Sequence, residues 1–221
     1  MVNYVVDPRV LTPLVPAGTE LDLWEGRAYV SLVGFRFLNT RVLGVPIPFH
    51  RNFDEVNLRF YVRRRVGDEW RTGVTFVKEI VPRRAVAFVA RALYNENYVR
   101  FPMRSAIAIP GRVQYEWRHM DAWESLWAIA IGEPFTPGPD SEEHFITEHY
   151  WGYARQRDGT TVEYAVEHAP WQVWRCEAAA FASQVGRLYG EPFVPCLTGP
   201  PQSAIVADGS SIIVRKGVRL A

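Results

Sequence analysis

The segment that decides the fold runs from Asn52 to Arg104. It opens with Asn52-Phe53-Asp54-Glu55-Val56-Asn57 and closes with Tyr94-Asn95-Glu96-Asn97-Tyr98-Val99-Arg100-Phe101-Pro102-Met103-Arg104. Apolar and polar residues alternate from Glu55 to Arg65, which is the pattern of a strand with two different faces. One face carries Val56, Leu58, Phe60 and Val62, and the other carries Glu55, Asn57, Arg59, Tyr61 and Arg63.

The rest of the chain predicts further strands and two helices. A long strand is expected over 20–38, with Gly26 and Gly34 as bends or bulges, and a hairpin turn at 67–69 leads to a return strand over 73–81. Helices are predicted from Pro82 to about Tyr94 and over 177–188. The remaining predicted strands cover 105–109, 111–119, 125–131, a hairpin of 145–156 with 161–168, and the tail 204–220. The expectation is one β-rich α+β domain over residues 1–221, built as a closed or double barrel.

The frame around Glu55 resembles the acetoacetate decarboxylase superfamily. In that superfamily an aromatic-x-Glu-Val segment, here Phe53-Asp54-Glu55-Val56, is followed by aromatic-Pro-Lys-Lys, here Phe101-Pro102-Met103-Arg104. Further blocks make the chain similar to the uncharacterised DUF2071 family, which includes YqjF-like proteins. These blocks are Trp24–Val33, Gly44-Val45-Pro46, Arg51–Asn57, the predicted helix that starts at Pro82 and ends in Leu93-Tyr94, Thr147-Glu148-His149-Tyr150 and Val206–Ser210. The resemblance spans nearly the whole chain and implies a barrel around a central cavity.

The resemblance also implies roles for three residues. Glu55 matches the superfamily's pocket glutamate, while Met103 and Arg104 occupy the positions of the two lysines. In the decarboxylases the second lysine lowers the pKa of the first, whose neutral amine forms an imine with the ketone; this enzyme is the standard example of that effect. A thioether cannot form an imine. A guanidinium at Arg104 would still hold a carboxylate, so the resemblance implies anion binding without covalent capture.

Lysine is rare in this chain, which carries only Lys78 and Lys216. On a regular strand Lys78 shares a face with Val74, Phe76 and Ile80, and Glu79 points the other way. Lys78 is therefore a candidate for a desolvated amine of lowered pKa that forms a relocated imine. The alternative is a structural lysine whose stem lies along the sheet and whose ammonium reaches a partner.

The polar residues near Glu55 predict a ligand site. Asn57 and Tyr61 share its face, and the arginines Arg59, Arg63, Arg100 and Arg104 are candidates for lining an anion-binding cavity. Glu55 itself is a candidate acid/base or hydrogen-bond anchor. The same polar set would also suit a sheet surface exposed to water.

Composition excludes several classes of function. Lys and Arg number 25 against 24 Asp and Glu, so no net field attracts nucleic acid or anionic lipid. No signal peptide or apolar run of bilayer length is present, and a soluble cytoplasmic protein is expected. Cys176 and Cys196 lack metal or disulfide spacing, and His144, Glu148 and His149 match no zinc motif. Neither a dinucleotide turn nor a phosphate loop occurs, so no cofactor or metal is expected.

Three functions remain open at this point. The first is a binding protein for a small carboxylate or ketone. The second is an enzyme that acts on a small oxo-acid without an imine, through Glu55 and Arg104. The third is a structural or partner-binding domain with a vestigial cavity. No sequence feature fixes the oligomeric state, and assembly into a homo-oligomer is open.

Overall fold

The computed structural model describes residues 1–42, 45–46, 52–82 and 97–220, with the backbone alone at 41–42 and 45–46. The strands are β1 Val2–Val6, β2 Glu20–Leu21, β3 Ala28–Phe37, β4 Arg41–Val42, β5 Val45–Pro46, β6 Phe53–Val66, β7 Glu69–Val81, β8 Tyr98–Arg100, β9 Met103–Ile107, β10 Gly111–His119, β11 Ala122–Phe135, β12 Trp151–Arg155, β13 Thr161–Glu167, β14 Val173–Ala182, β15 Ser203–Ala207, β16 Ile213–Val214 and β17 Val218–Arg219. Short helices are α1 Pro8–Leu11, α2 Glu142–Thr147, α3 Val185–Leu188 and α4 Val194–Leu197, with 3-10 turns at Thr12–Leu14 and Glu191–Phe193.

One large sheet organises the molecule. Its strand order is β16-β13-β12-β7-β6-β3-β1-β15-β14-β11-β10-β9, with β2 and β8 added at β6 and β7 and β17 at β13. Pairing is antiparallel except where β7 meets β8 and β12. Within the described residues β16 and β9 are the two ends of this path and do not pair with each other. The expected β-rich class is therefore confirmed, whereas closure of the barrel by hydrogen bonds is not.

Strand β6 lies at the centre of the sheet and is buried on both sides. Its core face (Val56, Leu58, Phe60 and Val62) belongs to the main hydrophobic cluster with Val30, Leu32 and Trp117. The opposite side, called here the polar face of β6, consists of Glu55, Asn57, Arg59 and Tyr61. Glu55, Asn57 and Tyr61 are buried, and Arg59 is half-buried. The alternation in the sequence correctly predicts the two faces, but the polar one is covered by protein.

Two segments differ from the prediction in secondary structure. The region 177–188 forms the end of β14 and only a four-residue α3, because its alanines pair with β11. Hydrogen bonding to β11 outweighs the helix propensity of alanine. Residues 145–147, predicted as strand, belong to α2, whose N-cap Ser141 accepts a hydrogen bond from the amide of His144. The hairpin itself is present as β12 and β13.

The structure also bears on three smaller predictions, which concern the first long strand, Gly34 and the helix that starts at Pro82. The expected strand over 20–38 is divided, because a tight turn at Trp24–Arg27, with Gly26 at φ +76°, separates β2 from β3. Gly34 is not a bulge, since β3 pairs with β6 in continuous register through it. The helix predicted from Pro82 to Tyr94 lies almost wholly outside the described residues. No helix that the structure describes has the length and apolar character needed to cross a membrane.

Candidate functional site

The polar face of β6 begins with a buried carboxylate cluster. Glu55 is only 2% exposed and accepts hydrogen bonds from Asn57 Nδ2 at 3.2 Å and Tyr98 OH at 3.4 Å. Glu79, also 2% exposed, lies directly across from Asn57 in the β6–β7 register and beside Tyr98 in the β7–β8 register. The structure therefore brings Glu55 and Asn57 together as predicted. The alternative of a solvent-facing carboxylate at Glu55 is wrong.

Tyr61 lies further along the same face and ends a chain of side-chain hydrogen bonds. Its hydroxyl is 2.5 Å from Ser31 Oγ, which donates to Asn3 Oδ1 at 2.7 Å. Asn3 Nδ2 in turn donates to Ser203 Oγ at 2.9 Å, and Ser203 donates to the Glu142 carboxylate of α2. The chain connects β6 to α2 across three neighbouring strands and holds the Tyr61 ring in place.

Arg59 lies between Asn57 and Tyr61. Its Nη2 donates to the carbonyl of Ile146 in α2 at 2.8 Å, and the guanidinium lies 5.7 Å from the centre of the Tyr61 ring. The Nε atom is buried and has no hydrogen-bond partner among the described residues. No carboxylate of the described chain forms an ion pair with Arg59. Among the described residues the half-buried guanidinium is thus contacted by the Ile146 carbonyl, the Met1 thioether at 3.9 Å and an aromatic ring, and by no carboxylate.

His149 covers the same region from the segment after α2. It is 7% exposed, and its ring lies 4.8 Å from the Tyr61 ring. Burial, and then the nearby charge of Arg59, lowers the pKa of His149 well below its usual value, so the imidazole is neutral at pH 7. Its Nδ1 is buried without a partner in the described part of the chain, as is Asn57 Oδ1. Three unpartnered polar atoms therefore occur on or against the polar face.

A cavity of about 300 Å³ shares Asn3, Ser203 and Ile146 with this region, but Asn57, Arg59, Tyr61 and His149 do not line it. Its walls include Asn3 and Ser203 from the hydrogen-bond chain, Glu142 and Ile146 from α2, and Cys176. Ile146 connects the cavity to the guanidinium, because its carbonyl holds Arg59. Burial raises the pKa of the Cys176 thiol, so that this side chain is neutral at pH 7. Among the described residues, no group of three His, Cys, Asp or Glu side chains is arranged to hold a metal ion.

Met103 and Arg104 are not part of this arrangement. Met103 is half-buried, lies opposite Trp117 in the β9–β10 register and packs against the main hydrophobic cluster. Arg104 points to the outer surface with a side-chain exposure of 58%, where it forms an ion pair with Glu116 at 2.7 Å and stacks on Trp123 at 4.2 Å. Successive strand residues face opposite ways, so Arg104 cannot share the side of β9 that packs on the core. The structure does not bring Arg104 to Glu55.

Lys78 lies on the core side of the sheet. A β-bulge at Val77 shifts the register so that Lys78 faces Leu58 while Phe76 faces Arg59. The predicted common face of Lys78 with Val74 and Phe76 is therefore wrong, although Ile80 does share it. The ammonium donates to the carbonyl of Leu188 and lies 5.8 Å from the Tyr189 ring, and burial lowers its pKa.

A second buried carboxylate, Glu124, was not singled out by the sequence. It is 3% exposed and accepts hydrogen bonds from Trp117 Nε1 at 2.9 Å, Ser183 Oγ at 2.7 Å and the Gln184 amide at 2.9 Å. His119 Nδ1 lies 3.1 Å from Glu124 Oε1, the oxygen that also accepts from the Gln184 amide. Both oxygens of the carboxylate therefore have hydrogen-bond partners within the described chain. These bonds connect the β10–β11 hairpin to the segment before α3.

Sequence reasoning also missed Asn3, Ser31 and Ser203 and considered His149 only as a metal ligand. A usable signal exists for the first two. Asn3 and Ser31 are single polar residues inside the apolar runs Val2–Val6 and Ala28–Val33, and a buried polar residue must find a hydrogen-bond partner. No local pattern shows that these partners are each other.

Comparison with known proteins places the chain among relatives of this architecture. The model of DUF2071, described as an uncharacterized conserved protein, matches residues 1–211. The uncharacterized protein YqjF of Bacillus subtilis (strain 168) is 29% identical over 192 residues, covering 85% of this chain and 77% of YqjF.

Solved structures that share the fold include the following two. An acetoacetate decarboxylase-like enzyme from Sphingomonas wittichii RW1 superposes with a TM-score of 0.68 at 13% identity, covering 100% of this chain and 89% of that chain. The enduracididine biosynthesis enzyme MppR, complexed with pyruvate, superposes with a TM-score of 0.58 at 13% identity, covering 99% and 83%. At such low identity these likenesses establish the fold alone.

Proposed function

The chain belongs to the DUF2071 family of uncharacterised conserved proteins, and from this membership and its acetoacetate decarboxylase-like fold we propose that it binds a small organic acid or ketone without forming an imine. MppR, which has the same fold, binds pyruvate. The proposed site is the polar face of β6 with His149. In this proposal Arg59 replaces Arg104 as the group that holds the ligand's carboxylate.

The observation that carries the proposal is the buried Nε atom of the half-buried Arg59 guanidinium. This atom has no partner among the described residues, and the described carboxylates leave the charge of the guanidinium unpaired. Burying a charge without an opposite charge is costly, and a carboxylate ligand that accepts from Nε would offset this cost. A guanidinium also binds carboxylates in a planar, two-pronged geometry that suits a small acid.

The surroundings of Arg59 support a neutral or singly charged ligand of small size. The unpartnered His149 Nδ1 offers one further hydrogen bond beside Arg59, and its imidazole adds no charge at pH 7. Tyr61 and Ile146 supply apolar surface next to the guanidinium. This combination of one cation, few directed polar atoms and aromatic walls is typical of sites for small molecules.

The absence of an imine rests on three amines, those of Lys78, Lys216 and the N-terminus, and the N-terminal amine of Met1 donates to the Ile205 carbonyl at 2.7 Å. Lys78 is on the core side of the sheet and is bound to Leu188, and Lys216 is exposed near the end of the chain. Met103, which the sequence resemblance assigns to the position of the decarboxylase lysine, carries no amine. Binding in this proposal is therefore reversible and non-covalent.

The test is titration of the purified protein with a panel of small oxo-acids, hydroxy acids and neutral ketones, followed by calorimetry and thermal unfolding. Each mixture is also treated with borohydride and measured by mass spectrometry, and CO₂ release is recorded. Saturable binding with no reduced adduct and no CO₂ is expected. An adduct on either lysine or on the N-terminal amine of Met1 would overturn the non-covalent part of the proposal.

The second candidate is an enzyme that acts on an oxo-acid without an imine. It is favoured by the Glu55 carboxylate, which is buried and accepts a hydrogen bond from Tyr98 OH. A buried carboxylate with a fixed orientation is suited to act as a general acid or base. Release of CO₂ without an adduct would favour this candidate. If no compound binds, the third candidate, a structural or partner-binding domain, takes its place.

A further inference from the structure

We propose that the ligand of the polar face carries a hydrogen-bond donor, a hydroxyl or an ammonium group, beside its carboxylate. This inference rests on the proposed function and narrows it. It separates hydroxy acids and amino acids from oxo-acids and ketones, whose carbonyl groups only accept hydrogen bonds.

The orientation of the Asn57 amide is the first step. Its Nδ2 donates to Glu55 Oε1 at 3.2 Å, and a carboxylate requires a donor, so the oxygen of the amide is the atom left over. That oxygen is buried and has no partner among the described residues, in a side chain that is only 3% exposed. A buried acceptor requires a donor, and a ketone placed here would set two acceptors against each other.

The neighbours of Asn57 strengthen this preference. Glu79 lies directly across from Asn57, and Glu55 lies two residues before it on the same face. Both carboxyl groups belong to side chains that are 2% exposed. Both side chains have interactions within the chain, and their negative charge would in addition attract a positively charged donor placed at Asn57.

The spacing along β6 fits a small bifunctional acid. Asn57 and Arg59 are two residues apart on one face, which separates their Cα atoms by about 6.6 Å. Arg59 Nε and His149 Nδ1 supply the unpartnered polar atoms at one end, and Asn57 Oδ1 supplies the acceptor at the other. With the carboxylate at Arg59, the donor group of the ligand is directed towards Asn57.

The experiment compares compounds that differ at one carbon. Pyruvate, lactate and alanine share a three-carbon acid skeleton and carry a carbonyl, a hydroxyl and an ammonium group at the same position. Acetoacetate, 3-hydroxybutyrate and 3-aminobutyrate form a second series with the group one carbon further away. Each is titrated into the full-length protein by calorimetry at pH 7.5.

In at least one series, the hydroxy or amino acid is expected to bind more tightly than the oxo-acid by about ten- to a hundred-fold, the effect of one buried acceptor gaining a partner. Whichever of the hydroxy acid and the amino acid binds more tightly shows whether the donor group of the ligand is a hydroxyl or an ammonium group. If the oxo-acid binds equally well or better in both series, this inference fails and the proposed function stands. If none of the six binds, both fail.

Two substitutions locate the effect on the predicted atoms. Arg59→Gln removes the charge that holds the carboxylate, so it should weaken all members of a series by the same factor of about ten or more. Asn57→Leu removes the acceptor, so it should weaken only the donor-bearing compounds and abolish their preference. Loss of affinity for all compounds alike in Asn57→Leu, with an unchanged circular dichroism spectrum, would overturn the inference.

Two further variants serve as controls. Arg63→Gln removes another arginine from the same side of β6, where it pairs with Glu20 at 2.7 Å, and should leave every affinity unchanged. Asn57→Asp retains an acceptor oxygen and adds a negative charge. It should shift the preference towards the ammonium compound, and it provides a readout if Asn57→Leu does not fold.

Discussion

Lys78 and Glu55 lie on opposite faces of the same sheet. Lys78 is directly across from Leu58 on the core side, while Glu55 belongs to the polar face of β6 with Asn57. An amine and a carboxylate separated in this way cannot act on one ligand. The two sequence candidates for catalysis therefore belong to different environments.

The first prediction concerns Lys78→Met. The substitution keeps most of the apolar stem but removes the hydrogen bond to Leu188 and the contact with the Tyr189 ring. We expect a loss of about 1 kcal/mol in the free energy of unfolding and ligand affinity within about twofold of the native protein. Urea unfolding and calorimetry measure the two effects. Lys216→Met, at an exposed position, is the control, and a large loss of affinity in Lys78→Met alone would contradict the assignment.

The second prediction concerns pH and His149. Burial lowers the pKa of His149 in the folded protein well below the usual 6.5, so the unfolded chain binds this proton first as the pH falls. Stability is therefore independent of this group above pH 6.5 and declines below it. The contribution is about 1.4 kcal/mol for each pH unit until the folded pKa is reached.

His149→Gln should remove that contribution. Urea unfolding between pH 7.5 and 5 measures the slope in both proteins, and the variant should show the smaller decline. Charge on Arg59, His144 and His168 adds to the effect, but burial is its main cause. Raising the salt concentration should therefore change the difference in slope little, because salt screens charges and does not hydrate a buried ring. Equal slopes in the two proteins would show that His149 is hydrated.

The third prediction concerns Glu124→Gln. In the native protein, donors that include Trp117 Nε1 and Ser183 Oγ point at the carboxylate oxygens. The variant amide replaces one of these oxygens with an NH₂ group, which cannot accept their hydrogen bonds. We expect a loss of about 2–3 kcal/mol in the free energy of unfolding. Glu116→Gln, on the same hairpin but paired with the exposed Arg104, is the matched control and should cost less than about 1 kcal/mol. Similar losses in the two variants would contradict the role given to Glu124.

The sequence predicts the centre of the fold well because a strand's two faces follow directly from alternation. The predicted strand over 55–65 is β6, Phe53–Val66, and its return strand is β7. The alanines of β14 mislead because their propensity is local, whereas their partners on β11 are about fifty residues away in sequence. Ala180 lies opposite Trp127, so a small side chain there serves the sheet rather than a helix.

The site was predicted in part for the same reason. Glu55 and Asn57 are two residues apart on one strand, and their common face needs only the strand period. The face of Lys78 depends on a bulge at Val77, and that of Arg104 depends on the pairing of β9 with β10, neither of which leaves a sequence pattern. The convergence of Asn3, Ser31 and Ser203 with Tyr61 is likewise a property of strand order.

The last prediction tests how closely the two halves of the sheet path pack. Gly34 on β3 has no side chain because the Tyr115 ring of β10 lies against its backbone, and a Cβ atom at Gly34 would be 2.4 Å from Tyr115 Cδ2. Tyr115 is 4% exposed and packs in the main cluster, so it cannot move aside without disturbing its neighbours. We expect Gly34→Ala to lower the free energy of unfolding by about 1–3 kcal/mol, measured by urea unfolding. Gly138→Ala, where a Cβ atom meets nothing within 4 Å, is the control and should change stability by less than about 0.5 kcal/mol.

Combining Gly34→Ala with Tyr115→Leu should cost less stability than the sum of the two single changes, because the smaller side chain relieves the clash. Strict additivity of the two losses would mean that the two residues do not touch.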